Sequence, residues 1–160
     1  MSILNYFTMK TTFGLLTFLL LITAACQQHS GAREMIDFPE SRQWAQNEPK
    51  KITLTLKEGG TYNAFVEGSI VYGSQFPSLP MNWELTGTKQ RENGTLSLAL
   101  KNEKGEELGD CTGDVCDVKQ ALFTGKKMEA GTYTFTLKNT FEFPYFPNII
   151  ALGVSLEKEK

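Results

Sequence analysis

From Lys51 onward, apolar and polar side chains alternate along the chain. Ile52, Leu54 and Leu56 are separated by Thr53 and Thr55. Leu96, Leu98 and Leu100 are separated by Ser97 and Ala99, and Tyr133, Phe135 and Leu137 by Thr134 and Thr136. A period of two puts every second side chain on one face, the pattern of a strand with one face buried. Tyr62–Tyr72 is rich in β-branched and aromatic residues and predicts a long strand with a bulge at Gly68. Trp83–Thr86, Val115–Phe123 and Ile149–Leu156 predict three more. Gly59-Gly60, Asn93-Gly94, Lys104-Gly105 and Ala130-Gly131 fall between these runs and read as turns. No stretch long enough for a stable helix has a helical apolar period. The reading is all-β: an antiparallel β-sandwich, Ig-like or jelly-roll-like, of about seven to eight strands, with a closed barrel as the alternative.

The first residues follow a different rule. Met9-Lys10 precedes a largely apolar stretch from Phe13 to Ile22, followed by Thr23-Ala24-Ala25-Cys26. A short positive segment, an apolar core and small residues before a cut are the parts of a signal peptide. The apolar core is shorter than the ~20 residues that a membrane span requires. Met9 is the more natural start, because residues 1–8 carry no basic side chain. Ala24-Ala25-Cys26 resembles a bacterial lipobox, in which the Cys thiol is diacylated and the chain is cut just before it. The expected division is a lipoprotein signal peptide over 1–25, a lipidated Cys26 and tether over 26–46, and a sandwich domain over 47–160. Acyl chains on Cys26, palmitate among them, anchor a protein because each buried methylene contributes ~0.8 kcal/mol. Gln27, rather than an acidic residue, follows the cysteine. That places the expected anchor in the outer membrane, with the domain on the periplasmic side.

The tether begins as the polar run Gln27–Arg33. Phe38 and Trp44 then read as residues that tuck onto the domain edge, with a short helical turn after Pro39.

Composition narrows the chemistry. The 160-residue chain has 16 basic and 18 acidic side chains, a net charge of −2. Removing the leader takes Lys10 with it and makes the remainder slightly more negative. No basic surface for nucleic acid is indicated. His29 is the single histidine of the chain and sits beside the expected cut. A Ser/His/Asp triad, a Cys/His dyad and a multi-histidine metal site therefore lack their parts. No cofactor is implied. Two carboxylates suffice for glycoside hydrolysis, but a short sandwich without a deep-cleft insertion is a poor host for it, and the expectation is a protein without catalysis.

Cys111 and Cys116 flank a short loop containing Gly113, and outside the cytoplasm such a pair is expected to form a disulfide. Asp110, Asp114 and Asp117 crowd the same segment, either as a solvated turn or as oxygen ligands for Ca²⁺. No metal site is expected, since the Asp order of an EF-hand loop is missing. Two aromatic-proline segments, 76–83 and 141–148, are either packing at the ends of the sandwich or a binding surface. The candidate binding residues are Trp83, Phe141, Phe143, Tyr145 and Phe146.

Several short motifs, in order, carry a family resemblance. They are the lipobox Cys26, Trp44, Tyr62-Asn63, a proline-rich run to Asn82-Trp83, and Thr95–Leu100 leading to Gly105–Gly109. Gly113-Asp114, Gly131–Phe135 and the closing Ile150–Lys158 complete the set. In these features the chain resembles the gliding-motility lipoproteins of the GldH type from the Bacteroidetes. Phe76-Pro77-Ser78, the cysteine pair and the aromatic run Phe141–Phe146 depart from that family's pattern. The resemblance implies an envelope lipoprotein that supports gliding and surface-secretion machinery through protein contacts, with no catalytic residues to carry over. The other expectation is a carbohydrate-binding module with Trp83, Tyr145 or neighbouring aromatics as a flat stacking platform.

Overall fold

The computed structural model describes residues 31–87 and 89–160. The expected signal peptide and Cys26 lie outside the described residues. Eleven strands are present: β1 (Gly31–Asp37), β2 (Trp44–Ala45), β3 (Pro49–Leu56), β4 (Gly60–Val71), β5 (Ser78–Thr86), β6 (Arg91–Ala99), β7 (Asp110–Thr112), β8 (Val115–Met128), β9 (Gly131–Asn139), β10 (Tyr145–Phe146) and β11 (Ile149–Lys158). Two antiparallel sheets are formed, in the orders β1-β11-β4-β8-β7 and β3-β9-β5-β6, with β2 and β10 paired apart from both.

Setting aside the short β7, the two sheets hold four long strands each, and the chain crosses between them at almost every connection. Only β5–β6 and β7–β8 are consecutive strands that pair with each other. This order is that of a jelly roll and selects it over the Ig-like alternative. Both sheets keep free edges, so the barrel alternative is not realised.

Alternation explains the core. Ile52, Leu54 and Leu56 of β3, Leu79, Met81, Trp83 and Leu85 of β5 and Tyr133, Phe135 and Leu137 of β9 line the inner face of one sheet within a single apolar cluster. Tyr62, Ala64, Val66 and Ile70 of β4, with Leu152, Val154 and Leu156 of β11, supply the opposite sheet. β11 departs from alternation: Ala151, Leu152, Gly153, Val154, Ser155 and Leu156 are all buried. It is flanked by β1 and β4, and its outward residues are small enough for larger neighbours to cover. A Cβ on Gly153 would lie 2.5 Å from the Glu34 carbonyl oxygen and closer still to the Met35 sulfur. β1 can lie flat on β11 only because that position is glycine.

Four sequence expectations are corrected. The domain starts inside the expected tether. Gly31–Asp37 pairs with β11 throughout, and Trp44 is fully buried, because Ala32 and Ile36 complete one flank of the core. After Pro39 there is a single turn, closed by Arg42 N–H donating to the Pro39 carbonyl, and not a helix. Asn93-Gly94 is no turn: it lies within β6, opposite Trp83 and Glu84. A Cβ on Gly94 would come within 2.9 Å of the Trp83 indole nitrogen, so this glycine makes room for an aromatic ring. The irregular register of β4 falls at Tyr62–Phe65 and not at Gly68, whose missing side chain leaves space for Leu98 and Val118.

Gly153→Val is expected to force β1 off β11. Unfolding should require at least about 2 kcal/mol less free energy, and limited proteolysis should then cut within Gly31–Asp37 before the rest of the fold.

Candidate functional site

β1 and β11 run the length of the sandwich and define its two ends. Gly31 pairs with Glu157 at one end, and Asp37 with Ala151 at the other. The seven residues of β1 separate these ends by about 20 Å. The loops beyond Asp37, Val71, Ala99 and Asn139 all lie at the end away from Gly31. Tyr72, Leu108, Phe143 and Tyr145, the exposed large apolar residues among those described, all belong to these loops.

The centre of this end is an aromatic knot. Phe141 and Phe146 are buried, and Phe76 packs on both, with ring centres 4.7 and 5.6 Å away. Edge-on contacts of this kind contribute about 0.5–1.5 kcal/mol each beyond burial. Phe143 caps the knot from outside, 5.3 Å from Phe141 and tilted by 55°. Phe143 is 51% and Tyr145 42% exposed, and they border a groove of about 430 Å³ with Gln75, Phe76, Pro144 and Pro147. The five sequence candidates thus divide. Phe143 and Tyr145 are accessible, Phe141 and Phe146 are the support beneath them, and Trp83 lies in the core between the sheets. Trp83 is largely buried, because its position in β5 points inward, and it only borders a shallow groove away from Phe143 and Tyr145. The flat aromatic row that a glycan platform requires is not formed by these residues.

The knot is held by polar groups that sequence reasoning missed. Asn139 is fully buried at the end of β9. Its side-chain amide donates to the Trp44 carbonyl at 2.7 Å, and its side-chain oxygen accepts from Phe141 N–H at 2.8 Å. Its own carbonyl accepts from Asn47 N–H. Gln46 donates from its side chain to the Phe141 carbonyl and from its backbone to the Pro144 carbonyl, each at 2.8 Å. Arg42, Asn47 and Asn148 are the non-glycine residues with positive φ among those described, and all three lie at this end. Such backbone strain persists only where surrounding contacts enforce it. The sequence signal was a lone Asn just after an alternating apolar run, which is indistinguishable from a turn residue.

Cys111 and Cys116 are directly opposed on β7 and β8 and form the expected disulfide. It closes the hairpin that ends the 100–114 loop. Asp110 and Asp117 face each other across this hairpin, and Asp117 accepts a hydrogen bond from Ser69. No cluster of three or more His, Cys, Asp or Glu arranged to hold a metal ion occurs among the described residues.

Two other grooves are lined differently. One of about 580 Å³, at the Gly31 end, is bordered by Gly60, Lys89, Lys127, Glu129 and Tyr133. Another of about 420 Å³ lies on the outer face of the four-stranded sheet, bordered by Asn82, Glu84, Asn93, Thr95 and Lys138. Among the described residues, none of these three grooves is lined by a pair of carboxylates.

The outer face of the five-stranded sheet carries one organised charge cluster. Glu67 accepts hydrogen bonds from Arg33 Nε and Ser155 Oγ, both at 2.6 Å, and Lys119 bridges it to Glu157. Burial alone would raise the Glu67 pKa. The hydrogen bonds from Ser155 and Arg33 and the charges of Arg33 and Lys119 outweigh burial and hold it below the usual carboxylate value. The cluster clamps β1, β11, β4 and β8 across the sheet and reads as structural.

No protein-family model and no curated protein matches the chain. Among solved structures, the chain is similar to Eiger TNF from S. frugiperda at 9% identity and a TM-score of 0.41, covering 81% of this chain and 92% of that one. It is similar to FLHE at 7% identity and a TM-score of 0.35, covering 81% and 96%. A ruminal GH26 endo-beta-1,4-mannanase aligns at 10% identity and a TM-score of 0.38 over 78% of this chain. The chain spans 21% of that enzyme's length. At these scores the likenesses carry no argument about function.

Asn139→Ala removes both side-chain partners at once and leaves the Trp44 carbonyl and the Phe141 N–H unpaired. The expected cost is about 2–3 kcal/mol in denaturant unfolding, with faster hydrogen exchange confined first to residues 141–148. Glu67→Gln tests the charge cluster. A carboxylate whose folded pKa is depressed stabilises the fold above its unfolded pKa, and that stabilisation is lost as pH falls through the folded value. The variant should be less stable by about 1 kcal/mol at neutral pH. Below about pH 4.5 its stability should converge with that of the original protein.

Proposed function

We propose that this protein is a non-catalytic, lipid-anchored lipoprotein of the bacterial envelope that acts by binding a protein at the loop end of its sandwich. The observation that carries the reading is the separation of the two ends. Gly31, the first described residue, lies at one end, and the exposed large apolar side chains of the described residues gather at the other. Gly31 is five positions beyond Cys26, which bounds the tether to about 17 Å when fully extended. An acylated Cys26 would therefore keep the Gly31 end next to the bilayer and present Phe143 and Tyr145 away from it. The disulfide supports an oxidising compartment, and the outer membrane, with the domain facing the periplasm, is the location the signal features favour. The resemblance to the GldH-type lipoproteins supplies the machinery: gliding and surface secretion.

Carbohydrate binding is the second reading. It would use the same groove, with Tyr145 stacking and Gln75 within the lining. The tilt of Phe143 against its neighbours and the burial of Trp83, Phe141 and Phe146 favour the protein-contact reading.

Metabolic labelling with an alkyne fatty acid should mark the original protein, and Cys26→Ala should lose the label and leave the membrane fraction. A photo-crosslinking residue at Tyr145 should capture an envelope protein in cells, while the same residue at Lys89, at the Gly31 end, should not. An unlabelled, soluble original protein, or equal capture from both ends, would refute the arrangement.

A further inference from the structure

We infer that the surface recognised by the loop end is basic, with apolar side chains set among its charges. The inference deepens the binding reading above and rests on it.

The apolar patch lies beside a concentration of acid. The segment from Leu100 to Asp114 contains Glu103, Glu106, Glu107, Asp110 and Asp114 against Lys101 and Lys104. Lys101 is engaged by Glu107 at 3.5 Å. Glu103, Glu106, Asp110 and Asp114 are exposed, as is Glu142, next in sequence to Phe143. Backbone hydrogen bonds make these loops one surface. Tyr72 N–H donates to the Asp114 carbonyl, Gly73 N–H to the Glu107 side chain, and Val71 N–H to the Asn148 carbonyl. Leu100 and Lys101 N–H groups both donate to the Pro77 carbonyl, beside Phe76.

The opposite end has no such excess. Lys89 pairs with Glu129, Lys126 with Glu92 and Lys158 with Glu58, so its charges cancel locally. The excess of acid over base falls at the end that carries the exposed aromatics. An acidic field around an apolar patch speeds encounter with a basic partner and repels an anionic one. It also repels an anionic bilayer, in keeping with an end that faces away from the membrane. The loops are braced before any partner arrives, by Asn139, by the β2–β10 pair and by the Cys111–Cys116 bond, so little ordering remains to oppose binding.

A random-peptide phage library panned on the full lipidated protein in nanodiscs tests this directly. Enriched peptides should carry net positive charge with aromatic or aliphatic residues interspersed. As synthetic peptides they should bind at least about tenfold more weakly to the Phe143→Ala/Tyr145→Ala variant. They should bind several-fold more weakly to Glu103→Lys/Glu106→Lys, and more weakly again when salt rises from about 0.05 to 0.3 M. Thermal unfolding of each variant, matched to the original protein, confirms that the fold is retained. The charge-reversed residues are exposed and leave the knot untouched. Peptides that require Phe143 and Tyr145 but carry no positive charge, or bind independently of salt, would overturn the charge inference and leave the binding reading standing. Retention of mannan or xylan oligosaccharides by these side chains, self-association through them, or enrichment of no peptide that depends on them would overturn both.

Discussion

The side-chain amide of Asn139 is the joint on which the loop end of this protein depends. Backbone carbonyls and N–H groups that leave a sheet and remain buried must find partners, and here one amide serves two of them. It pairs with the carbonyl of Trp44 and the N–H of Phe141, and so ties the segment before β3 to the segment after β9. Around that joint, Trp44 donates from its indole to the Glu48 carbonyl, and Phe146 pairs with Trp44 across β10 and β2. Phe141 and Phe146 are then committed to the interior. Phe143 and Tyr145, between them in the same short run, are left outside. The exposed aromatics are displayed by a buried polar contact.

The long strands place that surface relative to everything else. Because β1 and β11 are antiparallel over the full length of β1, Gly31 and the loop before β11 lie at opposite ends of one sheet. Gly153 permits the close approach of the two strands, and the Glu67 cluster clamps them from outside. This pairing sets Gly31 and the exposed aromatics at opposite ends of the sandwich. Charge has the same polarity: ion pairs balance the entry end, and acids collect where the aromatics are exposed.

The alternating runs at Ile52–Leu56, Leu96–Leu100 and Tyr133–Leu137 were readable because a half-buried strand writes its own period into the sequence. The readings at glycine were weaker for the converse reason. Asn93-Gly94 has the composition of a hairpin turn, yet it lies within a strand where Trp83 needs space; a missing side chain is ambiguous until its neighbour is known. Gly31–Asp37 looked like tether, since an edge strand buries few residues and carries little apolar signal.

From the order of residues alone came the all-β class, the pairing of Cys111 with Cys116 and the two aromatic segments to be weighed as surface or support. Each of these depends on residue type and local spacing, which a sequence contains in full. Tertiary structure alone decided the jelly-roll order, the inward turn of Trp83, the role of Asn139 and the gathering of Tyr72, Leu108, Phe143 and Tyr145 at one end. These depend on contacts between residues far apart along the chain, such as Asn139 with Trp44. Local periodicity carries no record of which distant segment will supply the partner.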